Sequence, residues 1–420
     1  METPNRLPRP TLLLVAALVA ACASPTPSSP PASAVPPTTV GPTASATLQP
    51  SVSPSSLPAI RVERAAPMLR ARTGFDSVVL GDGSVLAVGD DFACFPGPAL
   101  EGSERAERYD PETDTWTEAE SLNKPRKTFA MVRLADGRAL VIGGLDPEEA
   151  SYSSTKLFDP ATGSWTDGPL LDVARDDPAA ATLTEGEVVL TSATFFGETD
   201  TTSTAEMLEP GADAWANLRP IQGLAIRTLI PLADGRVMGI GDGFELDLAV
   251  VLFDPAGDRS WQSIDPPTVV RQARIVPLEG GDVLAFGYED LAIGRSPSVR
   301  VERLDASTNT WSEVAPMSMP REGALIATLA DGQVLVAGGA TTIEIEPEAR
   351  ALATTEIYDP AADSWIAGPN LLEPRKDGHA LLLPDGSVLI HGGDADFNVD
   401  GDVPWCPDPM TTTERVYLGP

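Results

Sequence analysis

Six stretches of this chain end alike. AERYDPETDTW closes at Trp116, TKLFDPATGSW at Trp165, AEMLEPGADAW at Trp215, VLFDPAGDRSW at Trp261, VERLDASTNTW at Trp311 and TEIYDPAADSW at Trp365. Successive tryptophans stand 49, 50, 46, 50 and 54 residues apart. Such a period marks one supersecondary unit copied along the chain, since a unit of this size cannot bury its apolar face without neighbours.

A second signal precedes each of these stretches. GDGSVLAVGD starts at Gly81, ADGRALVIGG at Ala135, TEGEVVLTSA at Thr184, ADGRVMGIGD at Ala233, EGGDVLAFGY at Glu279, ADGQVLVAGG at Ala330 and PDGSVLIHGG at Pro384. A turn pair containing glycine before an apolar run is a hairpin signal, because glycine tolerates the positive φ that the turn demands. The residues before each turn are also apolar or β-prone, as in FAMVRL and HALLLP. Each unit thus opens with a hairpin of strands a and b, apolar at consecutive positions as befits strands covered on both faces. A longer loop leads to strand c, the AERY-type segment, and strand d starts at the tryptophan. Four strands every 50 residues or so predict an all-β, seven-bladed propeller of four-stranded antiparallel blades.

Seven hairpins face seven c strands if TERVYLGP at 413–420 is counted, but only six d strands carry the tryptophan. AIRVERAAPM at 59–68 is similar to the segment after a tryptophan, such as SEVAPM beyond Trp311. The N-terminal strand is therefore expected to complete the last blade as its outermost strand, which removes open sheet edges.

The glycine pair after strand b, the Tyr/Phe-Asp-Pro turn and the spaced tryptophan together resemble the kelch repeat, over residues 59–420. Repeat 3 departs with Thr191-Ser192-Ala193 in place of the glycines, and repeat 5 with Gly287-Tyr288. Galactose oxidase is similar in fold, and that resemblance implies copper held by two histidines and two tyrosines, one joined to a cysteine. This chain has only His379 and His391, and no tyrosine-rich ligand set assembles around them. A periplasmic sialic-acid epimerase shares the same kind of propeller, but nothing here selects its base, and a fold alone does not license an activity.

The segment before the propeller reads differently. Arg6 and Arg9 precede the apolar run TLLLVAALVAA, which is too short to span a bilayer comfortably. Val19-Ala20-Ala21-Cys22 resembles the lipobox of bacterial lipoproteins, which implies a signal peptide over 1–21, cleavage before Cys22 and lipid on that residue. Each buried methylene of such an anchor contributes about 0.8 kcal/mol. Residues 23–58 hold ten prolines and no charge, so 22–58 reads as a lipidated tether that buries too little apolar surface to fold and reaches roughly 100 Å when extended. The implied place is outside the cytoplasm, on a bacterial membrane.

The formal charge of -32 excludes nucleic acid and anionic lipid as electrostatic partners, leaving Cys22 as the sole contact with a bilayer. A monomer is expected. Cys94 and Cys406 fall in the b–c loops of repeats 1 and 7, which a closed ring makes neighbours. In an oxidising compartment they would form a disulfide across the seam, worth about 2–5 kcal/mol, or else remain two free thiols.

The long b–c and d–a loops share one face, the default binding surface. Arg72, Arg126, Arg175, Arg321 and Arg375 stand ten residues before the turn position in five repeats; repeats 4 and 5 depart, with Arg227 and Arg271 nearby. They form either a partial ring of guanidiniums for carboxylate or sulfate groups, or internal pairs with strand-c carboxylates such as Glu107, Glu206, Glu302 and Glu356. DADFNVDGD offers Asp394, Asp396, Asn398, Asp400 and Asp402, either as calcium ligands around Gly401 or as a solvated acidic loop; Pro407 stands where an EF-hand would close with Glu. Trp405 lies off the repeat register, as an aromatic shelf for a ligand or as cover for the disulfide. No cofactor is certain, calcium being the one candidate, and no residue reads as catalytic. The function expected is a noncatalytic, membrane-tethered recognition module for a protein or glycan; the alternative is a sugar epimerase, isomerase or lyase with its site at the channel mouth.

Overall fold

A computed structural model describes residues 60–418 apart from 73, 90–102, 196–200, 244–247, 269–270, 292–293, 342–350 and 399–405. The compact unit runs from Ser56 to Pro420. Seven antiparallel sheets succeed one another as blades. Blade 1 is Asp76–Val79, Val85–Val88, Ala106–Asp110 and Thr115–Ala119, and blade 2 is Ala130–Arg133, Ala139–Ile142, Thr155–Asp159 and Ser164–Asp167. Blades 3 to 6 repeat the order from strand a at Ala179–Thr182, Leu224–Pro231, Arg271–Pro277 and Leu325–Thr328. Blade 7 joins His379–Leu382, Val388–His391 and Thr413–Tyr417 to the N-terminal strand Arg61–Ala65. That strand pairs in register from Arg61↔Tyr417 to Ala65↔Thr413, so the ring closes as the repeat count requires. Each inner strand touches the next, and the last touches the first. The fold is a closed seven-bladed β-propeller. Among the described residues no helix is long and apolar enough to cross a membrane.

The apolar runs explain the ring. Val85–Val88, Ala139–Ile142, Val334–Ala337 and Val388–His391 are buried at every position, because each b strand is covered by a blade on either side. Seven apolar clusters result, one at each blade interface. Between blades 1 and 2, Leu86 and Val88 meet Met131, Val141 and Phe158.

The repeated tryptophan links neighbours as well. Its indole N–H donates to a carbonyl just beyond the preceding blade's outer strand: Trp165 to Glu120 at 2.6 Å, Trp311 to Asp265 at 2.9 Å, Trp365 to Ala315 at 2.8 Å. The Asp two residues earlier serves both sides: Asp363 accepts from the Tyr358 hydroxyl and from the Ala315 N–H.

The glycine pair decides where strand b stops. Gly143 and Gly144 have φ of 63° and 94°, a left-handed bend that only glycine adopts freely. A Cβ on Gly144 would stand 2.6 Å from the Lys127 carbonyl. In blade 3, where Ser192 and Ala193 replace the pair, strands b and c run on as Val188–Phe195 and Thr201–Leu208. Blade 5 does the same with Val283–Leu291 and Gly294–Asp305.

Candidate functional site at the loop-rich face

Strand a starts on the face where long connections join b to c, so the residues just before it rim the central channel. The recurring arginines do not form a ring of free guanidiniums there; they are buried inside the blades. Arg72, Arg175, Arg321 and Arg375 are 0–5% exposed and pair with Glu107, Glu206, Glu356 and Glu414 at 2.6–3.0 Å. The Nη1 groups bind carbonyls of the b–c connection, as Arg321 does with Gly338 and Thr354. The second carboxylate oxygen accepts a backbone N–H three residues before the arginine: Leu69, Asp172, Ser318 and Leu372 at 2.6–3.1 Å. The physical reason is desolvation, since a buried guanidinium requires a buried counter-charge. The alternative of pairing with strand-c carboxylates describes these four blades. Blade 4 replaces both partners, with Leu224 and Val251 in one apolar cluster. Blade 5 keeps Glu302, which accepts from the N–H and hydroxyl of Thr268. Blade 2 keeps Arg126 but has Lys156 in the carboxylate position.

Two residues after each of these arginines the backbone enters the left-handed region, at Gly74, Thr128, Asp177, Gly323 and Asp377 with φ of 43–64°. This bend delivers polar side chains to the rim. Thr128 of blade 2 donates to Asp176 of blade 3 at 2.7 Å, and Arg227 pairs with Asp242 inside blade 4 at 2.8 Å. Arg274 of blade 5 reaches Asp377 of blade 7 at 3.8 Å, over Gly323 of blade 6, where a Cβ would stand 2.5 Å from the Asp377 carboxylate. Burial and the neighbouring Asp176 push the Asp177 carboxyl up, with Arg227 opposing. Burial also raises Asp76, although His379 nearby pulls it back; Asp76 accepts the Met131 N–H at 3.1 Å. Among the described residues the rim is therefore carboxylate-rich, with Arg227 and Arg274 already paired.

The other expected site residues divide. Asp394–Asn398 forms an extended strand paired with Cys406–Pro409, and the Asp400-Gly401-Asp402 stretch lies outside the described residues. Asp394 is buried, and its backbone exchanges two hydrogen bonds with Lys376. Asp396 and Asn398 belong to that strand, whereas Asp400, Asp402 and Trp405 lie outside the described residues. Among the described residues no three of His, Cys, Asp and Glu gather as metal ligands. Cys94 and Cys22 also lie outside the described residues, and Cys406 is described in its backbone alone.

The two histidines meet across the a–b hairpin of blade 7, their rings 5.7 Å apart and stacked. His391 is fully buried, with Nε2 on the Ser77 hydroxyl at 3.1 Å and its ring against Phe75 and Trp116. Desolvation first, then His379, holds its imidazole well below the usual histidine range. His379 Nε2 lies 3.1 Å from the Phe75 carbonyl. Both histidines thus close the seam between blades 7 and 1. Tyr109 and Tyr358 bind Asp114 and Asp363 inside their own blades, and Tyr417 lies under Arg61 on the outer edge. These donors do not fit a copper centre of two histidines and two tyrosines. Sequence reasoning missed the rim pairs because they join residues distant in sequence, Thr128 with Asp176 and Arg274 with Asp377 across blades; for Thr128 and Asp377 the position two after the arginine was the available signal.

No protein-family model matches the chain. A kelch-like protein of Aspergillus terreus is 29% identical over 135 residues, 31% of this chain and 29% of the relative. Galactose oxidase of Gibberella zeae is 29% identical over 168 residues, 38% of this chain and 23% of the relative. An F-box/kelch-repeat protein of Arabidopsis thaliana is 29% identical over 114 residues, 27% of this chain and 24% of the relative. The chain thus matches less than a third of each curated relative's length. Among solved structures, a fungal alcohol oxidase in complex with copper superposes with a TM-score of 0.64 at 17% identity, covering 85% of this chain and 75% of that one; this likeness concerns the fold. These names and the seven blades support a kelch-repeat, galactose oxidase-like β-propeller.

Proposed function

We propose that this propeller is a noncatalytic recognition module that binds a protein or glycan at its loop-rich face. The observation that carries the reading is the rim itself. Two of its arginines are already paired, Arg227 with Asp242 inside blade 4 and Arg274 with Asp377 across blades, which leaves among the described residues a preorganised polar surface without a nucleophile–base pair or a copper donor set. The N-terminal leader, Cys22 and the uncharged tether support a bilayer-anchored, extracytoplasmic module, with Cys94 and Cys406 able to cross-link its seam there. The charge of -32 sets nucleic acid aside as a partner.

One observation favours a second reading, a sugar epimerase, isomerase or lyase: Asp76 and Asp177 are raised carboxyls at the channel rim, the kind of shift a general base needs. The two readings separate on one experiment. Residues 56–420 are screened on a glycan array and against a cell-envelope extract, alongside Asp177→Asn and Arg274→Ala. Binding that Arg274→Ala weakens at least tenfold, with no turnover of bound glycan, supports recognition. Turnover abolished by Asp177→Asn would replace it with catalysis.

A further inference from the structure

Blade 2 breaks the buried ion pair in an uneven way. Blade 4 exchanges both partners for apolar residues, but blade 2 keeps Arg126 and places Lys156 where the sibling blades have glutamate. Arg126 is 1% exposed. Its Nη1 donates to the Gly143 and Ser154 carbonyls and its Nη2 to the Ser154 hydroxyl, while its buried Nε has no partner. The Arg375 Nε is unpartnered as well, but there Nη2 holds Glu414 at 2.9 Å. The backbone N–H that would complete the cradle belongs to Asn123, three residues before Arg126 and exposed; no described carboxylate accepts from it.

Charge concentrates at the same spot. The chain has four lysines, and Lys124, Lys127 and Lys156 are three of them. Lys127 pairs with Glu149 at 2.5 Å, and Lys156 is tied to Asp167, whose side chain is 83% exposed. The Tyr152 ring stacks on Arg126 at 4.6 Å and lies 5.9 Å from the Lys124 ammonium. A chain of -32 overall thus gathers Arg126 and three of its four lysines around blade 2, where the sibling repeats hold a glutamate.

We propose that blade 2 binds an external carboxylate between Arg126 Nε, the Asn123 N–H and Lys156 Nζ, in the place of the missing glutamate. The ligand class is a single carboxylate group, carried by a small acid, an acidic residue or a uronic sugar. Repeat geometry selects a carboxylate over a spherical anion, because the sibling cradles present the arginine fork to one oxygen and a backbone N–H to the other.

The test uses the full chain and sodium acetate against sodium chloride at equal ionic strength. Acetate is expected to raise the thermal midpoint saturably, by roughly 2–4 °C at a hundredfold excess over its dissociation constant, and to shift the Arg126 Nε–H resonance. Lys156→Glu restores the sibling arrangement; it should melt higher than wild type without acetate and lose the saturable response. Uronate oligosaccharides and acidic peptides competing with acetate would identify the source of the group. An acetate response equal in wild type and Lys156→Glu, a chloride response as strong as that of acetate, or no response at all would overturn the proposal.

Discussion

Glu206 is the position at which the blade architecture is most directly testable. It is 0% exposed, its partner Arg175 is 2% exposed, and their closest approach is 2.6 Å. Glu206→Ala removes three hydrogen bonds at once: from Arg175 Nη2, from Arg175 Nε at 3.1 Å and from the Asp172 N–H at 3.1 Å. It also leaves a guanidinium buried without its counter-charge. Breaking a buried pair on one side costs about 3–5 kcal/mol, whereas replacing both sides with apolar groups of similar volume is often close to neutral. Blade 4 is the natural example of the second case. Arg175→Leu with Glu206→Val copies its Leu224 and Val251 into blade 3. The expected outcome in urea unfolding is a loss of about 3–5 kcal/mol for Glu206→Ala and a loss smaller by at least ~2 kcal/mol for the double variant. Thermal midpoints should fall by roughly 4–7 °C for the single change. If the single change costs under ~1 kcal/mol, or if the double variant is as unstable as the single, the pair is not what holds strand c to the d–a connection.

Three further outcomes are expected. Trp365→Phe should cost about 1 kcal/mol more than Trp261→Phe in urea unfolding, because the Trp365 indole donates to Ala315 at 2.8 Å while the buried Trp261 Nε1 has no partner. His391 is held neutral by burial, so its folded-state pKa lies below its unfolded one near 6.5. Its contribution is fully present above that unfolded value and is lost as pH falls from there toward the folded pKa, and His391→Phe should flatten stability between about pH 6.5 and 5. Deleting residues before Ala66 should deprotect the amides of Thr413–Tyr417 in hydrogen exchange while leaving those of Val188–Leu190 unchanged, since only blade 7 loses a strand.

The repeat was legible because its signals are local. A glycine-containing turn needs positive φ whatever surrounds it, and a tryptophan fifty residues from its twin packs in the same kind of place. The N-terminal strand was legible because a closed ring leaves one vacancy, and residues 61–65 fit it. The arginines were legible as a pattern and not as a role. Arg72 in a rim and Arg72 in a blade leave the same letter, and only the 35 residues of chain folded between it and Glu107 decide between solvent and carboxylate. The lengthened hairpins of blades 3 and 5 were visible as departures from the glycine pair, yet their consequence required knowing that the pair is what stops strand b. The acidic stretch was ambiguous on backbone shape: alternate acidic positions suit a coordinating bend and a β-strand equally well, and Asp394–Asn398 is a strand, while Asp400 and Asp402 lie outside the described residues.

The Arg61↔Tyr417 pairing also fixes the order of events in the molecule's making. The first strand to leave the ribosome has no partner until the last strand has emerged, most of the chain later. Contacts this distant in sequence form late and slowly, because the entropy of closing the intervening chain comes before any reward. A product truncated before Thr413 is therefore an open arc with an unpaired leading strand and exposed sheet edges. Completion of synthesis is what turns an aggregation-prone arc into a ring without edges.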